Sequence, residues 1–522
     1  MHSSKTRHKD NIQSLIFFIL IIVFSIITVT QESIAESNTE NVRYIIDDAL
    51  KIKLYDDPQW LKLLHYQKNS FSKSFYSDID GTRFFNAVKG SRNPRTELIA
   101  TIKALHSTNI KDFRNVNQHP QCRFPARLSW LKDILPSFNE ELPTIKCKKF
   151  LEWRHFLNSE SLSLIYVSPS ADTSGSIFGN TFLKINPPKL HKNVFNKDKN
   201  LLPAKAVSYD INPSELQKGE WFYSIKTVFG KYPGKLTVEP YVKRIARFPN
   251  SEYRDIWEYE LNLTPFETSQ LLEHVWELQQ AQIDYYFFDE NSSYMLLSLI
   301  DAVKPELNLT ESFSLQVLPV DTMRLLIKKE VVSNIKYIPS TLTNIKYHYS
   351  EYPRSQRKII TGFIRGSLTT NDPEFQKLSA TIQVFLIEVA NQYLQLSYKR
   401  EEIDRISYKI RSLRLRKARK KLDPLIELSD APPPEVRPDQ DHKTSKIGFG
   451  IGQEDSVNFL ELTWRPAFHD LLDRTGTYNS GTQINYLDTA IRLDQEHGLV
   501  QLDKLHFISV YSLQPRSALF KP

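Results

Sequence analysis

The chain is 522 residues long, 40% hydrophobic and 25% charged, which excludes an intrinsically disordered protein and leaves room for two or three domains. Its 68 basic residues exceed the 60 acidic ones by little, and no recognised nucleic-acid module accompanies the formal net charge of +8. No nucleic-acid partner and no cofactor are expected.

Lys5, Arg7 and Lys9 precede an almost continuously apolar run from Ile12 to Val29, centred on Phe17, Phe18, Ile19 and Leu20. This reads as an export signal, with Ser33 and Ala35 as small residues before a cleavage point after Ala35. Residues 1–35 are therefore a signal peptide or, because the run is long enough to span lipid, an uncleaved anchor over residues 12–29. No cysteine follows the run, which argues against a lipid-anchored start. The two cysteines of the chain are Cys122 and Cys147. In an exported protein their pairing is the economical reading, closing a loop of about 25 residues for roughly 3 kcal/mol in the chain-entropy model. Two unpaired buried thiols are the alternative.

Residues 36–120 read as a helical lead-in. Trp60, Leu61, Leu63 and Leu64 form an apolar face, Asn93-Pro94 is a break, and Leu98, Ile102 and Leu105 return at helical spacing. His65 and His106 are expected as packing or surface residues. The period then changes to strand at Leu162–Val167, Ile177–Ile185, Ala206–Ile211 and around Phe222–Val228, before Tyr232-Pro233-Gly234-Lys235 reads as a turn. Trp257–Leu261 is a short strand, and Thr264-Pro265 opens a helix carrying Leu271, Leu272, Val275 and Leu278.

The aromatic run Tyr285-Tyr286-Phe287-Phe288 then breaks into Asp289-Glu290-Asn291-Ser292-Ser293 and re-enters apolar periodicity at Tyr294, which is a strand-to-helix corner. Asn291 is suited to cap that helix. The first backbone N–H groups are expected to point outward as anion donors, so that a nucleophile at Ser292 or Ser293 would be well served.

Together Ser176–Leu183, Tyr232-Pro233-Gly234, Tyr253–Tyr259, Tyr285–Tyr294 and Asp321–Arg324 resemble the periplasmic domain family at the N-terminal side of bacterial lipoprotein N-acyltransferases of the Lnb type. The likeness covers roughly Phe124–Leu326, with weaker likeness at Asp57–Trp60 and Trp464–Asp470. It implies an α+β protein with a permuted papain-like, NlpC-type domain at 121–330. It also implies a periplasmic location and a lipoprotein, lipid or other envelope component as partner.

In that family's pattern Phe-Gly-His-Thr supplies a base and Glu-Asn-Cys-Ser a nucleophile; the matching positions here are Asn180 and Ser292. A serine hydroxyl needs a true base, and an amide offers none at ordinary pH. Gly179, Glu290, Asn291, Ser293 and Tyr294 remain as support of the cleft. His274 reads as a packing or surface residue, and Asp289 and Glu290 are poor bases for an unactivated hydroxyl. Two functions follow. The favoured one is a catalytically degenerate homologue that binds an envelope partner; the other is a living acyltransferase or hydrolase using Ser292 with an unidentified base. No metal ligand set is read from the sequence.

In residues 331–428, Pro373 is expected to open a long amphipathic helix extending to Lys421, whose cations Arg411 to Lys421 read first as a solvated helix end, with contact to an anionic membrane surface as the alternative. Residues 429–445, with Ala431-Pro432-Pro433-Pro434, read as a stiff linker. Residues 446–522 read as a partial β-rich domain. That segment is too short for the eight strands of about 9–11 residues that a barrel needs, and Asp470, Asp473, Asp488, Arg492 and Asp494 are read as leaving no clean apolar face.

Overall fold

The computed structural model describes residues 40–69, 72–108, 115–139, 142–170, 176–188, 204–211, 232–248, 253–286, 290–313, 316–422, 428–474, 476, 478, 481–494, 496–513 and 519. The apolar run at 12–29, the cleavage position after Ala35, the strand expected around Phe222–Val228 and Asp289 lie outside them. Among the described residues no helix is long and apolar enough to cross a membrane. The chain is α+β and divides into two compact units, one of Met1–Phe156, Ser269–Ile283 and Leu299–Glu306, the other of Leu157–Thr268, Asp284–Ser298 and Leu307–Pro522.

The first unit is mainly helical, with one hairpin of β1 (Tyr66–Lys68) and β2 (Phe75–Ser77). Helices Pro58–Leu63 and Pro94–Leu105 begin with an Asp-Pro and an Asn-Pro pair. Proline at the first helical position has no N–H to leave orphaned, while the preceding side chain accepts from the next donors, Asp57 from Gln59 and Trp60 and Asn93 from Thr96. The break read at Asn93-Pro94 is thus a helix start. Trp60 stacks on Trp130, both fully buried. His106 is a packing residue, its ring held between the carbonyls of Ile102 and Phe138.

Cys122 and Cys147 are disulfide-bonded. The bridge sits against Phe150, Trp153 and Trp276, and the Trp276 indole donates to the Cys122 carbonyl at 2.8 Å. Cys122→Ala with Cys147→Ala is expected to lower the unfolding free energy by about 3 kcal/mol. Denaturant midpoints of the oxidised and double-alanine proteins check this, and coincident midpoints would contradict it.

The second unit is built on a seven-stranded sheet of β3 (Ser161–Val167), β4 (Asn180–Asn186), β5 (Lys205–Ile211), β6 (Tyr232–Pro240), β7 (Ile256–Leu261), β8 (Ile283–Tyr285) and β9 (Val332–Ile338), in the order β8-β6-β5-β4-β3-β7-β9. The pairings from β6 to β9 along this order are antiparallel. Phe182, Ile165, Val167, Ala206 and Tyr241 fill part of its core. The turn expected at Tyr232-Pro233-Gly234-Lys235 is instead the start of β6, with Gly234 opposite Ile211. The reason is tertiary: a Cβ on Gly234 would lie 2.0 Å from the Tyr209 hydroxyl, so the glycine serves close packing rather than chain reversal.

The single helix expected from Pro373 to Lys421 is three: Pro373–Gln376, Ala380–Lys399 and Arg405–Arg419. Ser379 and Asp404 adopt extended backbone and cap the second and third helices, and Glu401 lies at positive φ between them. Local side-chain capping has beaten continued amphipathic periodicity. Of the basic residues at the distal end, Arg411 donates to the Ile364 carbonyl at 2.6 Å and Arg419 pairs with Glu388 at 2.9 Å.

The proline-rich stretch read as a linker is held down as a strap. Arg324, in helix Pro319–Lys328, donates to the carbonyls of Pro438, Asp439, Asp441 and His442, and Asp439 accepts from Tyr259. Beyond the strap β10 (Lys446–Glu454), β11 (Val457–Arg465), β12 (Ala467–His469), β13 (Thr482–Asp494) and β14 (Val500–Ser512) form an antiparallel sheet. Ala467, Ile484 and Tyr486 pack on Ile177, Phe178 and Leu318. The far end carries the apolar face that the sequence reading denied. Phe449 and Ile451 pair with Leu462 and Leu460, which pair with Ile491 and Leu493, which pair with Leu502 and Val500. Phe449 and Ile451 are each 86% exposed. The charges do not interrupt this face because they alternate to the other one, where Arg492 is bonded to Glu461 and Glu454.

Candidate functional site

The corner after β8 forms as the residues dictate. Asn291 accepts from the N–H groups of Ser293 at 2.9 Å and Tyr294 at 3.1 Å, so the helix runs Ser292–Asp301 with Asn291 as its cap. The Asn291 amide also donates to the Val317 carbonyl at 2.8 Å, which ties the corner to the segment leading into helix Pro319–Lys328. Replacing Asn291 by alanine is expected to cost about 1–2 kcal/mol. Asn291→Asp keeps the cap acceptor but not the donor to Val317, so denaturation of the two variants separates the terms; an alanine variant as stable as wild type would contradict the assignment.

Two of the first-turn donors that the sequence reading expected to point outward are taken by the cap: the N–H groups of Ser293 and Tyr294 go to the Asn291 side chain, and that of Met295 makes the first helical bond, to the Asn291 carbonyl at 3.0 Å. Tyr285 is half-buried; desolvation, then the charge of Asp210, raises its pKa above the usual tyrosine range, so its hydroxyl stands neutral at ordinary pH. Ser292 itself is half-buried, Ser293 and Tyr294 are buried, and Glu290, half-buried, contributes its carbonyl to the Tyr286 N–H.

On the sheet, Gly179 takes φ +87°, and a Cβ there would lie 2.6 Å from the Tyr166 ring. Glycine is thus required twice over, for the backbone turn and for the close approach. Asn180 follows as the first residue of β4, and its side-chain oxygen accepts from Arg254 Nη2 at 2.8 Å and from Ser176 Oγ at 3.0 Å. Arg254 is buried and also donates to the carbonyls of Ser168 and Val167. Its neighbour Asp255 accepts from Tyr337, from the Ser340 N–H and from Thr343, fixing the start of helix Thr341–Glu351. Strand and helix meet one residue beyond the two candidate positions, where Thr181 Oγ1 and Ser293 Oγ lie 2.9 Å apart.

Asn180 is therefore a clamped amide, its oxygen already accepting from a cation and a hydroxyl. The role of Arg254 in that clamp escaped the sequence reading, because it needs Ser168, Ser176 and Asn180 brought to one point. His274 is fully buried with Nε2 3.0 Å from His65 Nε2, a packing pair. A cavity of about 640 Å³ lies elsewhere in this unit, lined by Asp321, Arg324, Lys328, Asp439 and Lys443 rather than by the corner.

Residues 149–329 match the family model described as the Lnb N-terminal periplasmic domain. Two further models, both described as domains of unknown function (DUF7843 and DUF7840), match residues 52–134 and 435–522. No curated protein and no solved structure matches the chain. Residues 149–329 thus match the Lnb-type periplasmic domain that their resemblance implied, which supports a periplasmic location.

Proposed function

We propose that this protein is a catalytically silent member of the Lnb-type periplasmic group, in which a permuted papain-like, NlpC-type cleft is kept as a binding surface for a lipoprotein, lipid or other envelope component. The observation that carries the reading is the amide at the position matched to a base: the Asn180 side-chain oxygen accepts from Arg254 and Ser176, while Ser292 stands at a helix start where Asn291 takes the N–H groups of Ser293 and Tyr294. A nucleophile without a base forgoes general-base catalysis worth about 10²–10⁴. What such a domain keeps is shape: the strands and the helix that formed the cleft are also its core.

The test uses the mature chain and a diacylated lipopeptide in phospholipid vesicles. Wild type and Ser292→Ala are expected to bind the lipopeptide indistinguishably, and mass spectrometry is expected to find no transferred or released acyl chain with either. Acyl transfer or hydrolysis by wild type that disappears in Ser292→Ala would establish the living-enzyme alternative instead. Failure of both proteins to bind would reject the proposed partner.

A further inference from the structure

The strap, the end of β12 and the turn after it bring three side chains together away from the Ser292 corner. His442 Nε2 lies 2.8 Å from His469 Nδ1, and Asp473 Oδ2 lies 3.5 Å from the first and 4.0 Å from the second. One ligating atom from each residue falls within 4.8 Å of the others. We propose that His442, His469 and Asp473 bind one divalent transition-metal ion of the zinc class, which pins the strap to β12.

The surroundings are those of a supported ligand set. The His442 Nδ1–H donates to the Lys443 carbonyl at 2.7 Å, which leaves the Nε2 lone pair facing the cluster. The His469 ring is buried and stacked on Tyr478 at 4.4 Å. Asp473 Oδ2 accepts from the Asp470 N–H at 2.8 Å, and Asp470 is itself held by Arg465. On the strap, Arg324 gathers the carbonyls on either side of His442, and Thr444 donates to Asp321. His442 and Asp473 keep 22% and 28% of their side-chain surface open, so an ion has a route in and a water can complete a four-coordinate shell.

Two imidazoles and a carboxylate suit zinc, cobalt or nickel better than magnesium or calcium, which prefer all-oxygen shells. At 2.8 Å the two ring nitrogens share a proton. Ligands about 2.0–2.1 Å from a tetrahedral ion sit roughly 3.3 Å from one another, so uptake separates the rings by about half an ångström and shifts the His469 proton from Nδ1 to Nε2. No proton need be lost.

The experiment takes the untagged mature chain, stripped with a chelator, and adds zinc or cobalt alone. Wild type is expected to retain one zinc per chain after gel filtration and to give a cobalt absorption band of tetrahedral intensity that zinc displaces. X-ray absorption on the zinc form is expected to show two imidazole ligands. His442→Gln and Asp473→Asn, checked for native far-UV circular dichroism, are each expected to weaken binding by about 100-fold or more, beyond the loss that removal of outer-shell partners causes. Absence of stoichiometric uptake by wild type would overturn the proposal. So would uptake that both variants retain, or a bound ion without two imidazoles, an outcome that stands even if a variant fails to fold.

Discussion

Replacing Arg127 by methionine is expected to lower the unfolding free energy by about 3–5 kcal/mol, the penalty for leaving buried charge without its partner. Arg127 is fully buried in the helical unit, with Nη1 3.3 Å from Glu97 and Nε 3.4 Å from Glu277, and its Nη2 donates to the Phe84 carbonyl at 2.9 Å. Its guanidinium lies over the rings of Phe84 and Phe124 at 4.2 and 4.0 Å. Glu277 accepts in turn from the N–H groups of Ala126 and Arg127, and Glu97 from those of Asn86 and Ala87. Methionine refills the volume but leaves two carboxylates in a dry site.

The loss should depend on pH with a definite sign. Burial raises the pKa of Glu97 above the usual carboxylate range, while Arg127 first, then the Asn86 and Ala87 N–H groups, pull it back. A raised folded pKa gives stability that is full below the unfolded pKa and lost as pH rises through the folded one. Removing Arg127 takes away the strongest opposing influence, so the deficit of Arg127→Met is expected to shrink as pH falls from about 7 toward 5. Urea titrations of both proteins across that interval decide it. A pH-independent deficit would mean that packing rather than charge sets the cost.

The second large effect is a gain. Ser292→Cys alone is expected to give a slow thiol, because no imidazole holds it as thiolate; adding Asn180→His is expected to raise its alkylation rate at neutral pH by about 10², the low end of general-base assistance. The low end applies because Arg254, 2.8 Å from the Asn180 side chain, would face the new ring and disfavour imidazolium. Iodoacetamide kinetics on the single and double variants measure this. Equal rates would mean that the two positions do not face each other and that the papain-like arrangement is wrong.

Much of the frame was legible in residues that act locally. Asn291 before Ser292 announced a cap, Thr264-Pro265 announced a helix that indeed runs Pro265–Leu278, and an even pair of cysteines in a chain read as exported announced the bridge. What the sequence hid depends on distant partners. Gly234 looks like a turn residue until Tyr209 is laid against it. The apolar spacing from Phe375 to Leu396 carries no sign that Ser379 will turn its hydroxyl to the Ile382 N–H and restart the helix. His442 and His469 stand in a strap and a three-residue strand, at no recognisable ligand spacing, and only the fold sets their rings together.

The proposed silence of Ser292 is tested most directly by intact-mass spectrometry of the protein after exposure to a serine-directed acylating probe such as a fluorophosphonate. The account predicts no adduct on wild type, and the same blank spectrum for Ser292→Ala. A stoichiometric adduct on wild type that maps to Ser292 and vanishes in Ser292→Ala would contradict it.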